Sequence, residues 1–347
     1  MTARILDPRT LRHALLARQL LLERATLPLP QAVDQVGGLQ TQYSPSGYVG
    51  LWTRLAGFER HALTAALEDR TVIQATLQRV TIHMVSREAY WRVSLGIREA
   101  RRAWARRVRP DQDERALEAQ ADTMRAALAD GPRTVKELGV LGAGFVGNLG
   151  LWVDLVRVPP SGTWERRRAD RLALAEMWVG PPDATLAEAR THLVRMYLGA
   201  FGPAPWRDIA QWAGIPVAEA REGGRSLSLT AYRDVDGRPL VDLADATLPE
   251  PGGPLPVRFL PHWDAALLVH ARRTGLLPEA FRSRVFSSRN PRTAWGLTGI
   301  QERANLINAA LTQRNGAELA AVLRDHQRLT WERVRERVEE EARKVPA

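Results

Sequence analysis

The chain contains no cysteine. That excludes disulfides and every zinc site built on thiolates, and it leaves nothing that argues for export. The start, MTARILDPRTLRH, is charged from its first residues and lacks the pattern of a secretory leader, so the cytoplasm is the expected compartment. No apolar run approaches 18 residues, which argues against a transmembrane helix and against a membrane partner. Lysine is almost missing: only Lys136 and Lys344 are present, the second nearly at the C-terminus. A lysine Schiff base is therefore an improbable route to chemistry here. Histidines do not cluster with carboxylates at metal-binding spacing, so neither a metal nor another cofactor is expected. The G-x-G-x-x-G of Gly142, Gly144 and Gly147 does not follow a strand, as a dinucleotide fingerprint must, and is set aside.

What is present is arginine and helix. Net charge is +10, carried almost wholly by arginine. GC-rich coding accounts for arginine in place of lysine but not for the excess of positive charge, which favours a polyanion, nucleic acid above all. The 347 residues, 45% of them apolar, are enough for two or three compact units with true cores.

Local signals order the chain. Asp7-Pro8 reads as the cap and first turn of a helix over 7–22. A short helix at about 30–37 ends on Gly37-Gly38, and Ser44-Pro45 starts another with Tyr48, Leu51, Trp52 and Leu55 as its buried stripe. A helix at about 59–69 precedes two β-branched runs, TVIQATL and RVTIHMV, with a turn near Gln78. Helices followed by a hairpin make the winged-helix pattern. It recurs with helices at about 113–129 and 146–157, a Thr134-capped short helix, and strand-like pieces after VPPSG. It recurs again with helices at 185–200 and around a turn at Gly214, then a hairpin about Asp236-Gly237. The fold expected is mainly α with small β-hairpin wings: three tandem winged-helix units forming a curved DNA-binding body. The expected boundaries are 1–110, 111–182, 183–250, and a C-terminal element over 251–347 whose tail reads as helical and charge-laced.

Four stretches carry a family resemblance. GLQTQYSPSGYVGLWTRL resembles the Q-x-Q or Q-x-D segment, with its following helix, of the winged-helix DNA glycosylases of the AlkZ and YcaQ type. ATLQRVTIHMVSREAYW is similar to that family's first wing and exit helix, and GLWVDLVRVPPSGTWERRRAD to the second wing of its AlkZ branch. FLPHWDAALLVHARRTGLLP resembles a C-terminal element. The likeness covers roughly residues 7–290. Beyond FSSRNPRT the family's strands with a V-D-G turn are replaced by the helical-looking AWGLTGIQERANLINAALTQRNG. The resemblance implies a monofunctional glycosylase, a monomer acting on double-stranded DNA that carries alkylated purines, chiefly N7-alkylguanine. Bulky adducts and interstrand crosslinks are within the family's range, in alkylation repair or antibiotic self-resistance. It assigns Gln40 and Gln42 to holding the water that attacks the sugar C1′.

The residues allow that assignment. In an extended segment positions i and i+2 face one side, so Gln40 and Gln42 converge, whereas helical spacing would set them nearly opposite. A carboxamide has no useful basicity at neutral pH. An N7-alkylated purine already carries a positive charge, leaves readily, and needs only an oriented water. Other candidates follow, each with a plainer reading. His83, in the first wing, faces DNA near the lesion or is a buried structural histidine. His262 and Asp264, in PHWD, form a catalytic pair or the capped start of a helix. Arg98, Arg102, Arg106 and Arg109 stripe one helix, as phosphate contacts or as a solvated face. Arg166, Arg167 and Arg168 lie in the second wing within reach of a DNA backbone or minor groove. Trp164 beside them wedges, stacks or packs. The competing function is a DNA-binding transcriptional regulator made of the same modules; an inactive scaffold is a weaker one.

Overall fold

The computed structural model describes residues 3–108, 110, 113–140, 151–252, 255–256 and 258–268. The chain divides into two compact units, Met1–Pro251 with Leu260–Gly275, and Gly252–Phe259 with Leu276–Ala347. Nearly all the described residues belong to the first unit, and the helical reading of the tail lies outside them.

Helix α1 (Pro8–Arg18) starts as expected: the Asp7 carboxylate accepts from the backbone N–H of Arg9 (2.8 Å) and Thr10 (3.0 Å). It stops short of residue 22 because Leu20 turns left-handed (φ 55°) and drops Leu21 into the core. Before it lies an unforeseen strand, β1 (Arg4–Leu6). Helix α2 (Leu29–Gln35) ends at Gly37-Gly38, both at φ +80°, where a Cβ on Gly37 would lie 2.6 Å from Phe201. Strand β2 (Leu39–Gln40) leads into α3 (Pro45–Arg54).

Two details of α3 differ from expectation. Ser44 is itself helical and caps nothing; its hydroxyl donates to the carbonyl of Arg167 at 2.6 Å. Trp52 is not in the buried stripe but 41% exposed, with the Arg24 guanidinium 4.9 Å over its ring.

After α4 (Arg60–Glu68) come β3 (Val72–Thr76), a tight turn, β4 (Ile82–Ser86) and the long α5 (Arg87–Val108). Helix α6 (Glu114–Leu128), capped by Asp113, precedes β5 (Arg133–Thr134), α7 (Val135–Val140), β6 (Leu155–Arg157), β7 (Arg171–Leu174) and α8 (Ala175–Trp178). The helix expected over 146–157 is not what 155–157 form. They are strand, threaded between β3 and β7, and the buried run Leu151, Trp152, Val153 and Leu155 packs on α6. An apolar run this short fits helix or strand equally, and pairing decides. Helix α9 (Leu186–Phe201) carries a capping box of Thr185 and Glu188, and Gly96 of α5 gives Leu193 room to pack. Helices α10 (Trp206–Ala213) and α11 (Val217–Gly223) turn at Gly214, which is left-handed at φ 76°. Strands β8 (Leu229–Asp234) and β9 (Pro239–Leu243) follow, then α12 (Ala265–Leu268).

Two sheets organise these elements. β1 adds to the β8–β9 hairpin in parallel with β8. The other sheet runs β2-β4-β3-β6-β7-β5, antiparallel throughout, so the hairpins expected as two separate wings are joined edge to edge through β3 and β6. The segment with the two glutamines forms the β2 edge of that joint sheet.

Candidate active site

Strand β2 pairs Leu39 with Met84 and Gln40 with His83, and the Thr41 N–H continues the ladder to the Ile82 carbonyl at 2.7 Å. Thr41 is buried and its hydroxyl accepts from Gln74 Nε2 at 3.0 Å. Alternation therefore turns Leu39 and Thr41 to one side and Gln40 to the other, while Gln42 lies in a bend just past the strand. Both carboxamides hold the same hairpin. Gln42 Oε1 accepts from the Ile82 N–H at 3.2 Å, standing in for a backbone acceptor where β2 runs out. Gln40 Oε1 accepts from Arg79 Nη2 at 3.0 Å, and Arg79 Nη1 donates to the Trp212 carbonyl at the end of α10, 3.1 Å away. These donors fix which end of each amide points inward, because an amide NH2 cannot accept from an N–H. Gln40 is half-buried and Gln42 exposed.

Arg79 sits at the tip of the β3–β4 hairpin, where it and Val80 are left-handed at φ 54° and 58°. Two-residue turns of this hand usually hold Asn-Gly; a β-branched residue there is strained. Burial lowers the Arg79 pKa, but guanidinium stays charged in proteins. Opposite Gln40, His83 is buried and its Nδ1–H donates to the Thr81 carbonyl at 3.0 Å, which fixes the tautomer. Burial, helped by the nearby Arg79 charge, lowers the His83 pKa to about 3, so its ring is neutral in any ordinary medium.

The loop between β6 and β7 closes on the same segment. Gly162, left-handed at φ 78°, lets the Gln74 carboxamide approach where any Cβ would collide with it. Trp164 packs edge-on against Tyr48 at 5.7 Å, under the Arg60 guanidinium. Arg167 donates to the Tyr43 hydroxyl at 3.1 Å, beside Gln42. Arg166 and Arg168 are exposed, Arg168 near Asp170 at 3.1 Å.

The remaining candidates are engaged elsewhere in the fold. Asp264 is 1% exposed, holds both Arg54 amino groups at 2.9 Å, and accepts from the Ala266 N–H at the start of α12. The His262 ring lies 6.1 Å from that of Tyr43. On α5, Arg98 meets Asp154 at 2.6 Å, Arg102 meets Glu99 at 3.4 Å, and Arg106 meets Glu114 at 2.6 Å; Arg109 lies outside the described residues. The residues that sequence reading missed are Arg79, Tyr43 and Asp154. One signal for Arg79 was there: it is the only charge between Thr71 and Val85. Arg79 also lines a cleft of about 620 Å³, with Trp104 and Arg107 of α5 and Gly214 and Pro216 of the α10–α11 turn. Among the described residues no three His, Cys, Asp or Glu are grouped to hold a metal.

The excess of arginine over acids favours a polyanionic partner. Residues 33–346, most of the chain, match the profile described as DNA glycosylase AlkZ-like, and the protein belongs to that AlkZ-like DNA glycosylase family. The structure is similar to that of the Streptomyces sahachiroi DNA glycosylase AlkZ, with a TM-score of 0.67 and 16% identity over 88% of this chain and 97% of that one. At that identity the likeness speaks for the fold, mainly helical with some sheet. No curated protein sequence matches the chain. Among the described residues no helix is long and apolar enough to cross a membrane.

Proposed function

We propose that the protein hydrolyses the N-glycosidic bond of N7-alkylated purines in double-stranded DNA, as a monofunctional, monomeric enzyme on three winged-helix units, with Gln40 and Gln42 holding the attacking water. The observation that carries this reading is the pair of carboxamides at the end of β2, each oxygen anchored to the β3–β4 hairpin and neither bonded to a carboxylate of the described residues. Each Oε1 has a second lone pair. A water that donates one hydrogen to each keeps an oxygen lone pair for C1′. As the C1′–N9 bond breaks, its electrons neutralise the positive charge of the alkylated base. The water oxygen bonds C1′, and its surplus proton passes to solvent. No general acid is needed, because the leaving group carries its own charge. The same economy makes the site a poor tool for a neutral base, so selectivity for cationic lesions follows. The exposure of Arg166 and Arg168 supports contacts from them to phosphates, and bulky adducts or crosslinks fit the same chemistry as monoadducts.

The test is base release from duplex DNA containing N7-methylguanine, with the wild type beside Gln40→Ala/Gln42→Ala. The expected single-turnover rate falls on the order of 100-fold in the variant, as for a lost positioning effect. The wild-type rate stays flat from about pH 5.5 to 8.5, since the amides do not titrate and His83 titrates near 3. A double variant as fast as the wild type removes the glutamines from the mechanism. Release no faster than spontaneous depurination removes N7-methylguanine as substrate, and a bulky cationic adduct is then the substrate to try. Sequence-selective binding to undamaged DNA without base release would point to a regulator.

A further inference from the structure

We infer that Arg79 is a positioning residue for Gln40, fixing the carboxamide that holds the nucleophilic water; this rests on the proposed role of the glutamine pair. Four observations converge on it. Its Nη2 donates to Gln40 Oε1 at 3.0 Å. Its Nη1 donates to the carbonyl of Trp212 at the C-terminal end of α10, at 3.1 Å, so the planar fork is braced at both tines. Its backbone, with that of Val80, is held left-handed at the hairpin tip, a local cost that concentrates where geometry serves function. No carboxylate of the described residues pairs with it, so its bonds are spent on Gln40 and on a helix end rather than on a counter-ion.

Charge is not what Arg79 contributes. Positive charge moves from the base to the sugar during bond cleavage, and a nearby cation does nothing to favour that transfer. Orientation is the remaining contribution. With the Gln40 oxygen tied to Arg79, the amide cannot rotate its NH2 toward the hairpin, and the second oxygen lone pair keeps one direction. The Trp212 bond makes the aim of Gln40 depend on the α10–α11 pair as well as on β2.

The experiment compares wild type, Arg79→Met and Arg79→Lys, alone and with Gln40→Ala, in single-turnover base release from N7-methylguanine DNA and in affinity for the same duplex. Arg79→Met is expected to lower the rate on the order of 30- to 100-fold with affinity changed less than about twofold. Arg79→Lys is expected to recover little, since an ammonium cannot brace both acceptors. In the Gln40→Ala background the loss from Arg79→Met should vanish, the mark of action through Gln40. Full recovery by lysine, or a loss that persists without Gln40, overturns the inference. So does a fall in affinity with a weaker salt dependence, which would make Arg79 a phosphate contact. A second readout needs no catalysis: the side-chain NH2 resonances of Gln40, identified by their absence in Gln40→Ala. They should be dispersed in wild type and shift toward free-amide positions in both Arg79 variants. If the wild type releases no base, the substrate reading fails while these resonances still decide the role of Arg79; unchanged resonances overturn it.

Discussion

Helix α5 and the loop between β6 and β7 are both rich in arginine, yet they use it in opposite ways. On α5 the guanidinium groups meet acids: Arg98 and Arg101 share the mostly buried Asp154, while Arg102 meets Glu99 and Arg106 meets Glu114 of α6 nearer the surface. On the loop, Arg166 and Arg168 stand in solvent while the backbone and Arg167 grip Ser44 and Tyr43 beside the glutamines. The arginines of α5 that reach Asp154 therefore mark an internal joint of this fold. The irregular run on a loop, ordered by Gly162 and by the Ser161 hydroxyl, leaves Arg166 exposed and Arg168 82% exposed beside Asp170. The net charge of the chain says that a polyanion is favoured; only the partners of each arginine say where it is met.

The largest way to break this contrast is at Asp154. Its carboxylate accepts from the Ser94 hydroxyl at 2.8 Å as well as from Arg98, and Arg101 beside it is only 6% exposed. Asp154→Asn leaves a buried guanidinium short of its counter-ion and is expected to cost about 3 kcal/mol, read by chemical denaturation. Arg166→Ser, on the exposed loop, should stay within about 0.5 kcal/mol of wild type. Equal losses at both places would mean that the loop is as structural as the helix.

The same contrast explains which features are legible in the sequence. Signals that act within a few residues are readable: the Asp7 cap, the Thr185–Glu188 capping box, the left-handed Gly214, and the Asp236-Gly237 turn between β8 and β9. So is the non-helical geometry of the segment, because glycines before and Ser-Pro after leave no helix there, though only Gln40 is in the strand and Gln42 lies in a bend. What depends on distant partners is not readable. The β1–β8 pairing, the fusion of two hairpins through β3 and β6, and the strand at 155–157 are each decided by a neighbour far along the chain. Asp264 looks like half of a catalytic pair from its spacing to His262, but its partner is Arg54. Arg79 is visible as a lone charge in an apolar hairpin, and only the fold brings Gln40 to it.

A middle-sized effect sharpens the contrast on the DNA side. Arg166→Ser/Arg168→Ser should flatten the dependence of log affinity on log salt by about two, near 0.9 for each phosphate no longer neutralised, while sparing the fold. An unchanged slope would remove the loop from the DNA interface and leave the positive charge of the protein to be met elsewhere.

The smallest effect is expected at Arg106, and it decides whether α5 is as closed as it looks. Arg106 and Glu114 pair at 2.6 Å, yet both are 47% exposed. Each lowers the energy of the other's charged form, the acid falling below and the guanidinium rising above its ordinary pKa. An exposed pair of this kind contributes little to stability, because water and salt screen it. If the pair holds in the complex, Arg106→Ser leaves the denaturation midpoint nearly unchanged and leaves the salt slope alone. A slope flatter by about one would show Arg106 leaving Glu114 for a phosphate, and the division between the helix and the loop would then describe the free protein only.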